Sequence, residues 1–299
     1  MPRVRRSIIL NFNDFCNDIT ENICNYLPDY NIETARIETI TKNNGVECTG
    51  VIVLLEGENI APNIYLDYYY MLYKQGRSLD DVLRMIADEY VRAKNTMDKS
   101  DFTIDEKELY KNAIIKLVNY DLNKEKLKDC PYIKYLDLAI TFRFLVKLDD
   151  AGMASALISN KDLIRYNITK EELYDIALEN TRRMFPESIR SMDEFIPNIE
   201  DICPEDRNKL FVLTNQSGVN GATTILYNDV IKDFAKKMNK SLFILPSSIH
   251  EVIMICCEEV EKERLKSLVK EVNKFIVSEL EFLSDNVYFY DLETDKITI

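Results

Sequence analysis

The segment Ser247–Glu251, which reads Ser-Ser-Ile-His-Glu, carries the residue types best suited to chemistry in this chain. His250 is the only histidine, and a serine nucleophile needs a neighbouring base to take its proton. If the segment forms the turn of a hairpin, Ser248 and His250 lie two residues apart and can share a face. A hydrolase or small-ligand site would be centred here, with Asn215 and Glu251 as further candidate members.

A purely structural interpretation of this segment is the one we favour. Serine hydroxyls cap turns, and a histidine ring can hydrogen-bond to a backbone carbonyl. The chain has no G-x-S-x-G nucleophile elbow, and few glycines near Ser248 would leave room for an oxyanion hole. The sequence therefore favours a protein that is not an enzyme.

Scarce glycine and histidine exclude several common sites. The seven glycines form neither a G-x-G-x-x-G fingerprint nor a P-loop. A single histidine excludes His-rich zinc sites, and acidic pairs such as Asp149-Asp150 lack EF-hand spacing. The loop Gly218–Gly221 matches the bare G-x-x-G of KH domains but carries no basic residue. We therefore predict no cofactor, no metal site and no nucleic-acid site.

Charge and cysteine content favour a cytoplasmic protein. Thirty-eight Lys and Arg against 51 Asp and Glu give a net charge of −13, whereas nucleic-acid binders usually carry a basic footprint. The seven cysteines are scattered, odd in number and without a C-x-x-C pair, which is typical of reduced thiols in a core. No apolar run approaches the roughly 20 residues that span a bilayer, and no signal peptide is recognisable, so no membrane contact is predicted.

Five tyrosines lie within residues 65–73. On one helix, Tyr65, Tyr69 and Tyr73 would form a single stripe with Tyr68 beside it. Packing in the core is the first interpretation of this stripe. The second is a protein-contact surface, because tyrosine is enriched at interfaces. If the protein has a protein partner or associates with itself, these four residues are where we expect the contact.

Hydrophobic periodicity and turn signals predict helices and a hairpin in the first half. A helix is predicted over 11–27, and Asn44-Gly45 is a strong hairpin signal that precedes a buried strand at 51–55. Further helices are predicted through residues 79–90 and over about 105–127.

The second half alternates strands with helices. Thr169 and Glu172 have the spacing of a capping box, which predicts the start of a helix that ends before Pro186. Residues 187–209 are polar and are predicted to form a surface excursion. The other predicted elements are strands 138–148, 154–158, 210–213, 222–227, 241–245 and 251–257, helices 228–238 and 259–278, and a hairpin over 287–299.

Two stretches of the second half resemble one another. Residues 152–164 and 221–231 each run from a glycine through a strand to an Asn/Asp pair and a helix, and residues 241–278 give a third unit of the same order. Such strand–strand–helix units predict an α+β fold in which antiparallel β-hairpins alternate with helices packed on the sheet face. The predicted regions are a flexible basic leader over 1–10, an N-terminal region of helices and a hairpin over 11–128, and a C-terminal repeated domain over 129–299.

Several motifs carry a resemblance to known sequences. They are Asn43–Val46, Pro62–Leu66, Tyr135–Ala139, Asp175–Thr181, Leu213–Asn215, Gly221–Tyr227, Leu245–Val252 and Leu283–Asp291. On these residues the chain resembles an uncharacterised clostridial family of unknown function. Its second half is more distantly similar to the YtpQ-like uncharacterised proteins of low-GC Gram-positive bacteria. The clostridial likeness covers most of the chain, apart from Met1–Leu10, which resemble an added leader. It implies an architecture and no activity.

The first functional hypothesis is a non-catalytic cytosolic protein that acts by protein interaction or regulation. It rests on the missing catalytic motifs, the tyrosine-rich segment and the acidic charge. The alternatives are a hydrolase or small-ligand-binding protein centred on Ser247, Ser248 and His250, and an acidic inhibitor that mimics nucleic acid. Mimicry ranks last, because 13 excess charges over 299 residues lie far below the charge density of duplex DNA.

Overall fold

A computed structural model describes residues 9–58, 61–97, 106–149, 152–194, 210–227, 229–256 and 262–299. The chain divides into two compact units, one within residues 1–103 and one within residues 104–299. This boundary lies earlier than the expected one after residue 128, because residues 113–119 pair into a sheet of the second unit. Residues 1–8 of the expected leader lie outside the described residues.

The first unit packs helices against a three-stranded antiparallel sheet. Its elements are α1 (Phe12–Asn22), a 3₁₀ turn (Ile23–Tyr26), β1 (Ile32–Thr41), β2 (Glu47–Leu55), β3 (Asn63–Tyr65), α2 (Asp67–Lys74) and α3 (Leu79–Met97). The β1–β2 hairpin is confirmed, and Asn44 and Gly45 take positive φ angles of 59° and 73° in its turn. The side chain of Asn11 starts α1 by accepting a hydrogen bond from the Asp14 N–H at 2.9 Å.

The core of this unit joins the apolar faces of α1, β2 and α3. The Tyr90 hydroxyl donates to the Val53 carbonyl at 3.1 Å, so the polar atom of this buried ring is satisfied. The fully buried members of the core include Phe15, Ile19, Ile23, Val51, Leu66, Val82, Ile86 and Tyr90.

The second unit carries two antiparallel sheets among the residues described. Its first elements are α4 (Glu106–Asn112), β4 (Ala113–Asn119), α5 (Lys124–Leu127), β5 (Tyr132–Tyr135), β6 (Leu138–Asp149), β7 (Gly152–Leu157), α6 (Asn160–Tyr166) and α7 (Lys170–Met184). They are followed by β8 (Glu187–Ser191), β9 (Leu210–Asn215), a 3₁₀ helix (Gly221–Leu226), α8 (Val230–Met238), β10 (Leu242–Leu245), β11 (Val252–Ile255), α9 (Lys262–Ile276), β12 (Tyr288–Asp291) and β13 (Lys296–Thr298). In one sheet β6 pairs with β4, β5 and β7, and the other has the order β13-β12-β10-β11-β9-β8.

The predicted α+β class is confirmed, and all the sheets are antiparallel. The capping box at the start of α7 is also confirmed. The Thr169 hydroxyl accepts from the Glu172 N–H at 3.2 Å, and the Glu172 carboxylate accepts from the Thr169 N–H at 2.9 Å. The hairpins β6–β7, β10–β11 and β12–β13 lie where the sequence predicts them.

The prediction of a third helix over about 105–127 is wrong. Helix α4 ends at Asn112, and β4 follows it at once and pairs with β6. Six of the seven residues of β4 are buried, and several are β-branched, which suits a strand covered on both faces. Such a strand has no alternation of apolar and polar residues, so periodicity alone did not separate it from a helix.

The strand predicted at 222–227 is also wrong. Gly221–Leu226 form a 3₁₀ helix in which every residue is buried. The Thr223 hydroxyl donates to the Asn220 carbonyl at 2.9 Å, and the Thr224 hydroxyl donates to the Gly221 carbonyl at 2.7 Å. These bonds reach three residues back along the chain, which is a helical and not an extended spacing.

The middle repeat is therefore not a strand–strand–helix unit. Strand β9 pairs with β8 and β11, and no hairpin partner follows it directly in the described chain. The surface excursion predicted over 187–209 begins instead with β8, which is part of the sheet, and residues 195–209 lie outside the described residues. The outer two units, β6–β7–α6 and β10–β11–α9, keep the predicted order.

Thr181 ties α7 to β4. Its hydroxyl accepts from the Ile115 N–H at 2.9 Å and donates to the Ala177 carbonyl, and the residue is buried. We expect Thr181→Val to lower the free energy of unfolding by about 1–3 kcal/mol, because the shape is kept while a buried N–H loses its acceptor. Urea unfolding followed by circular dichroism measures this loss.

The control is Thr298→Val, at an exposed position of β13. A surface change of this kind is expected to stay within about 0.5 kcal/mol. Equal effects of the two substitutions would contradict the anchoring role of the Thr181 hydroxyl.

Candidate functional site

The Ser247–His250 segment connects β10 to β11 and is held against residues 281–283. The Ile249 N–H donates to the Glu281 carbonyl at 2.8 Å, and the Leu283 N–H donates to the Ser247 carbonyl at 2.9 Å. Ser248 also forms an isolated antiparallel bridge in this pairing. The turn of this hairpin is thus a longer loop, and backbone hydrogen bonds to residues 281–283 hold it in place.

Ser248 and His250 are close, but their side chains do not form a nucleophile–base pair. The buried Ser248 hydroxyl accepts from the His250 backbone N–H at 3.0 Å. The His250 Nδ1 accepts from the Asn220 N–H at 3.3 Å and lies 3.2 Å from the Gly218 carbonyl oxygen. Its Nε2 lies 3.5 Å from a carboxylate oxygen of Glu281. A histidine activates a serine by accepting its proton, and the ring of His250 is directed elsewhere.

Asn215 shapes the loop that carries the partners of the histidine ring. Its amide group donates to the Val219 carbonyl at 2.9 Å. Its side-chain oxygen accepts from the Ser217 N–H at 3.0 Å and from the Ser217 hydroxyl at 2.8 Å. These bonds close the loop between β9 and the 3₁₀ helix. Glu251, the fourth candidate, is half-buried and directly precedes β11.

Gly221 lets the 3₁₀ helix lie directly on the β10–β11 connection. A Cβ atom at this position would lie 2.1 Å from the Thr214 hydroxyl oxygen and 2.3 Å from the His250 carbonyl oxygen. The same Thr214 hydroxyl donates to that carbonyl at 2.7 Å, and the Ala222 N–H donates to the Ile249 carbonyl at 3.2 Å. Close backbone approach therefore requires this glycine, whereas turn geometry does not, because Gly221 is not among the residues with a positive φ.

The space beside this junction is small. A cavity lined by Thr181, Asn215, Asn220 and Thr223, among others, has a volume of about 10 Å³. Such a volume holds one water molecule at most. Two larger open grooves, of about 450 and 760 Å³, are lined by neither Ser248 nor His250. The structure thus brings Ser248, His250 and Asn215 together as a hydrogen-bonded junction of loops.

The described residues contain neither a metal-binding cluster nor a membrane-spanning helix. Among the described residues, no group of three or more His, Cys, Asp and Glu side chains is placed to hold a metal ion. The described cysteines are free thiols, and burial raises the pKa of Cys16, Cys130 and Cys256. Within the same part of the chain, no helix is both long enough and apolar enough to cross a membrane.

The tyrosine-rich segment is divided between a strand and a helix. Tyr65 ends β3 and precedes α2, so the predicted stripe of Tyr65, Tyr69 and Tyr73 does not lie on one helix. Tyr69 is buried, and the ring of Tyr73 packs with its centroid 5.5 Å from that of Phe15. Tyr68 is 56% exposed. Core packing accounts for Tyr69 and Tyr73, whereas Tyr68 keeps its ring towards solvent.

Sequence reasoning missed a polar cluster that joins the β5–β6 turn to the segment before β12. Asp137 accepts hydrogen bonds from the Ser284 hydroxyl at 2.6 Å, from the Asn286 amide at 2.9 Å and from the Tyr288 hydroxyl. Ser284 and Tyr288 are fully buried, and burial together with the Asp137 charge raises the pKa of Tyr288. The signal in the sequence was the spacing of two between the three donors, which puts them on one side of an extended segment.

A second missed feature is an exposed apolar row that borders the buried face of α9. Leu265 and Val269 are buried against the sheet. Four other apolar residues, which we call the outer row, face solvent: Leu268, Val272, Phe275 and Ile276, exposed to 53%, 37%, 76% and 76%. Their spacing of four, three and one puts them on one side of a helix. From the sequence, both sets merge into one wide apolar stripe, which does not reveal which part is covered.

Gly221→Ala tests the close contact at the loop junction. We expect it to lower the free energy of unfolding by about 3 kcal/mol, because the added methyl group must displace Thr214 and the backbone of His250. Gly218→Ala is the matched control in the same loop, where a Cβ meets open space and only the positive φ of 69° is unfavourable. Its expected loss is about 1 kcal/mol. Equal losses in denaturant unfolding would contradict the close contact.

Asp137→Asn tests the polar cluster. We expect a loss of about 1–3 kcal/mol of unfolding free energy, because an amide donor then faces groups that are themselves donors. The control is Asp129→Asn, at an exposed position. Thermal and urea unfolding measure both variants. A loss at Asp137 no larger than that at Asp129 would show that the cluster does not stabilise the fold.

Comparison with known proteins gives the chain a family. No curated protein and no solved structure matches it. The narrower likenesses to a clostridial family and to YtpQ-like proteins stay predictions. The family DUF5688, described as a family of unknown function, matches residues 12–292. This match spans both units, and the chain therefore belongs to the DUF5688 family.

Proposed function

We propose that this protein is a non-catalytic protein of the cytoplasm that acts by binding another protein surface through α9. The observation that carries the proposal is the outer row, in which Phe275 and Ile276 are largely exposed. Contiguous apolar surface of this kind marks an interaction site, since leaving it in water is unfavourable. Phe275, near the C-terminal end of the row, is an aromatic residue of the kind enriched at protein interfaces.

Helix α9 presents the outer row on a fixed support. Leu265 and Val269 pack into a buried cluster with residues of β10 and β11. The Asn273 side chain donates to the Ser284 carbonyl at 3.0 Å and to the Asp285 carboxylate at 2.9 Å, which anchors the last turn. A contact surface that is already ordered loses little conformational entropy on binding. This support favours a preformed docking surface.

The described cysteines support the cytoplasmic part of the proposal. The free thiols of the described cysteines agree with a reducing compartment such as the cytoplasm. The contact surface expected at Tyr65, Tyr68, Tyr69 and Tyr73 stays a prediction, and it now depends on Tyr68, whose ring is the exposed one.

The alternative functions have less support. A hydrolase needs the Ser248 hydroxyl to donate to a base, whereas this hydroxyl accepts from a backbone N–H and the His250 ring binds other groups. A nucleic-acid mimic needs negative charge gathered on one face. Helix α9, which carries the outer row, has five basic and two acidic residues.

The proposal is tested with Phe275→Ser/Ile276→Ser in the native cell. We expect the wild-type chain in an extract to elute on size exclusion as a complex heavier than its 34.9 kDa monomer. The double variant is expected to elute as the monomer, because it removes the two most exposed apolar side chains of the outer row.

The matched control is Glu263→Ser/Lys270→Ser, two exposed positions of α9 outside the outer row, which is expected to elute like the wild type. Circular dichroism of the purified variants verifies that each is folded. A wild-type chain that elutes as the monomer, or a complex that survives the Phe275/Ile276 change, would refute the proposal.

A further inference from the structure

We infer that an open groove between β5 and the first turns of α6 and α7 binds a small organic compound with two or more phosphate groups, such as a nucleoside diphosphate. We call it the lysine groove, because Lys128, Lys134 and Lys170 line it. Its volume of about 760 Å³ lies within the range of ordinary small-molecule sites. The inference goes beyond the proposed function, since the lysine groove shares no residue with the outer row.

The lysine groove is positively charged in a strongly acidic chain. Glu171 is the one carboxylate among the described residues that line it, against three lysines. The two segments that form its walls, residues 124–134 and 160–171, hold seven Lys and Arg against four Asp and Glu, whereas the whole chain has a net charge of −13. Positive charge gathered in a concave site raises the local concentration of anions. This distribution of charge favours an anionic ligand.

Two of the lysines converge from different elements on one tyrosine. Tyr132 and Lys134 lie two residues apart on β5 and therefore point to the same face of the sheet. A hydrogen bond with Tyr120 raises the pKa of Tyr132, and the positive charges of Lys170, at the start of α7, and of Lys134 oppose this rise. Both ammonium groups therefore lie near the Tyr132 hydroxyl, where one ligand can contact them together.

These two lysines are held loosely by their own neighbours. The Nζ atom of Lys134 lies over the Tyr120 ring, 4.6 Å from the centroid, and has no carboxylate partner among the described residues. The Nζ atom of Lys170 lies 3.9 Å from a carboxylate oxygen of Glu171, which is beyond hydrogen-bond distance. A ligand that binds both ammonium groups therefore breaks no close ion pair.

Hydrogen bonds join the two walls of the lysine groove. The Asn160 N–H donates to the Asp129 carbonyl at 3.0 Å, and the Asn160 side-chain amide donates to the Lys128 carbonyl at 3.0 Å. The Lys128 ammonium pairs with Glu125 at 2.5 Å, but both side chains are exposed, and a pair of this kind contributes little and can open. A groove whose walls are already fixed loses little conformational entropy when it binds a ligand.

The lining favours phosphate over carboxylate, and an organic over an inorganic compound. Planar carboxylates are best bound by the fork of an arginine, and none of the described residues that line the groove is an arginine. Lysine binds phosphate as a point charge, and several ammonium groups suit the several negative charges of a diphosphate. The lining also contains Pro131, Ile133 and Leu163, which give an organic group apolar surface to cover.

Isothermal titration calorimetry of the purified full chain tests the inference, with ADP and inorganic pyrophosphate as probes and no divalent metal present. We expect both probes to bind, and ADP to bind more tightly, because its nucleoside covers apolar lining. Lys134→Gln/Lys170→Gln should weaken ADP binding by at least about tenfold, because two contacts with charged groups are lost.

The matched control is Lys270→Gln/Lys296→Gln, which removes the same charge at two exposed positions outside the lysine groove. It should bind ADP like the wild type, and circular dichroism verifies that both double variants are folded. Equal losses of affinity in the two variants would show that binding depends on overall charge, and would overturn the lysine groove as the site.

The other outcomes also decide the inference. Binding of neither probe, up to low millimolar concentration, overturns the phosphate site. Equal affinities for ADP and pyrophosphate overturn the organic part of the ligand. A single-stranded oligothymidine that binds more tightly than ADP, and is lost in Lys134→Gln/Lys170→Gln, would assign the groove to nucleic acid and overturn the small ligand. None of these results depends on the outer row, so the proposed function is tested separately.

Discussion

The β10–β11 hairpin is apolar on both faces, and this constraint organises the second unit. Successive residues of a strand point to opposite faces of the sheet. Ile244 and Met254 therefore join the largest core cluster, whereas Leu245 and Ile255 join a smaller cluster on the other face. A sheet that is apolar on both faces needs a layer on each. Helix α9 covers this second face of the sheet, but only through Leu265 and Val269. The outer row beside them stays exposed to solvent.

The same arrangement explains why the residues best suited to chemistry have structural partners. The connection between β10 and β11 packs against both the 3₁₀ helix and the segment before β12. The buried backbone groups of such a junction need hydrogen-bond partners. Ser248, His250 and Asn215 supply them. Asp137 does the same for three buried or half-buried donors of the second loop. A buried polar group without a partner costs free energy, so these residue types are accounted for by the fold.

Structure determined within a few residues was predictable from the sequence, and structure determined by burial was not. The turn at Asn44 and the cap at Thr169 depend on positive φ and on one side-chain oxygen, and both are confirmed. Residues 113–119 and 221–226 show no hydrophobic period, and their buried surroundings decide that the first is a strand and the second a 3₁₀ helix. For the candidate site, spacing put Ser248 and His250 near each other, but the direction of the His250 ring depends on Asn220, thirty residues away in the chain. The outer row could not be predicted, because the sequence of a helix with a wide apolar face does not indicate which of its apolar residues are exposed.

The central claim is that the outer row of α9 is a contact surface and not an uncovered part of a monomer. Hydroxyl-radical footprinting read by mass spectrometry measures the solvent access of individual side chains. Comparing the purified protein with the complex recovered from the extract, the account predicts that oxidation of Phe275 and Leu268 is lower in the complex, while that of the exposed Tyr110 stays constant. Oxidation of Phe275 that is the same in both states, or that falls equally at Tyr110, would contradict the account.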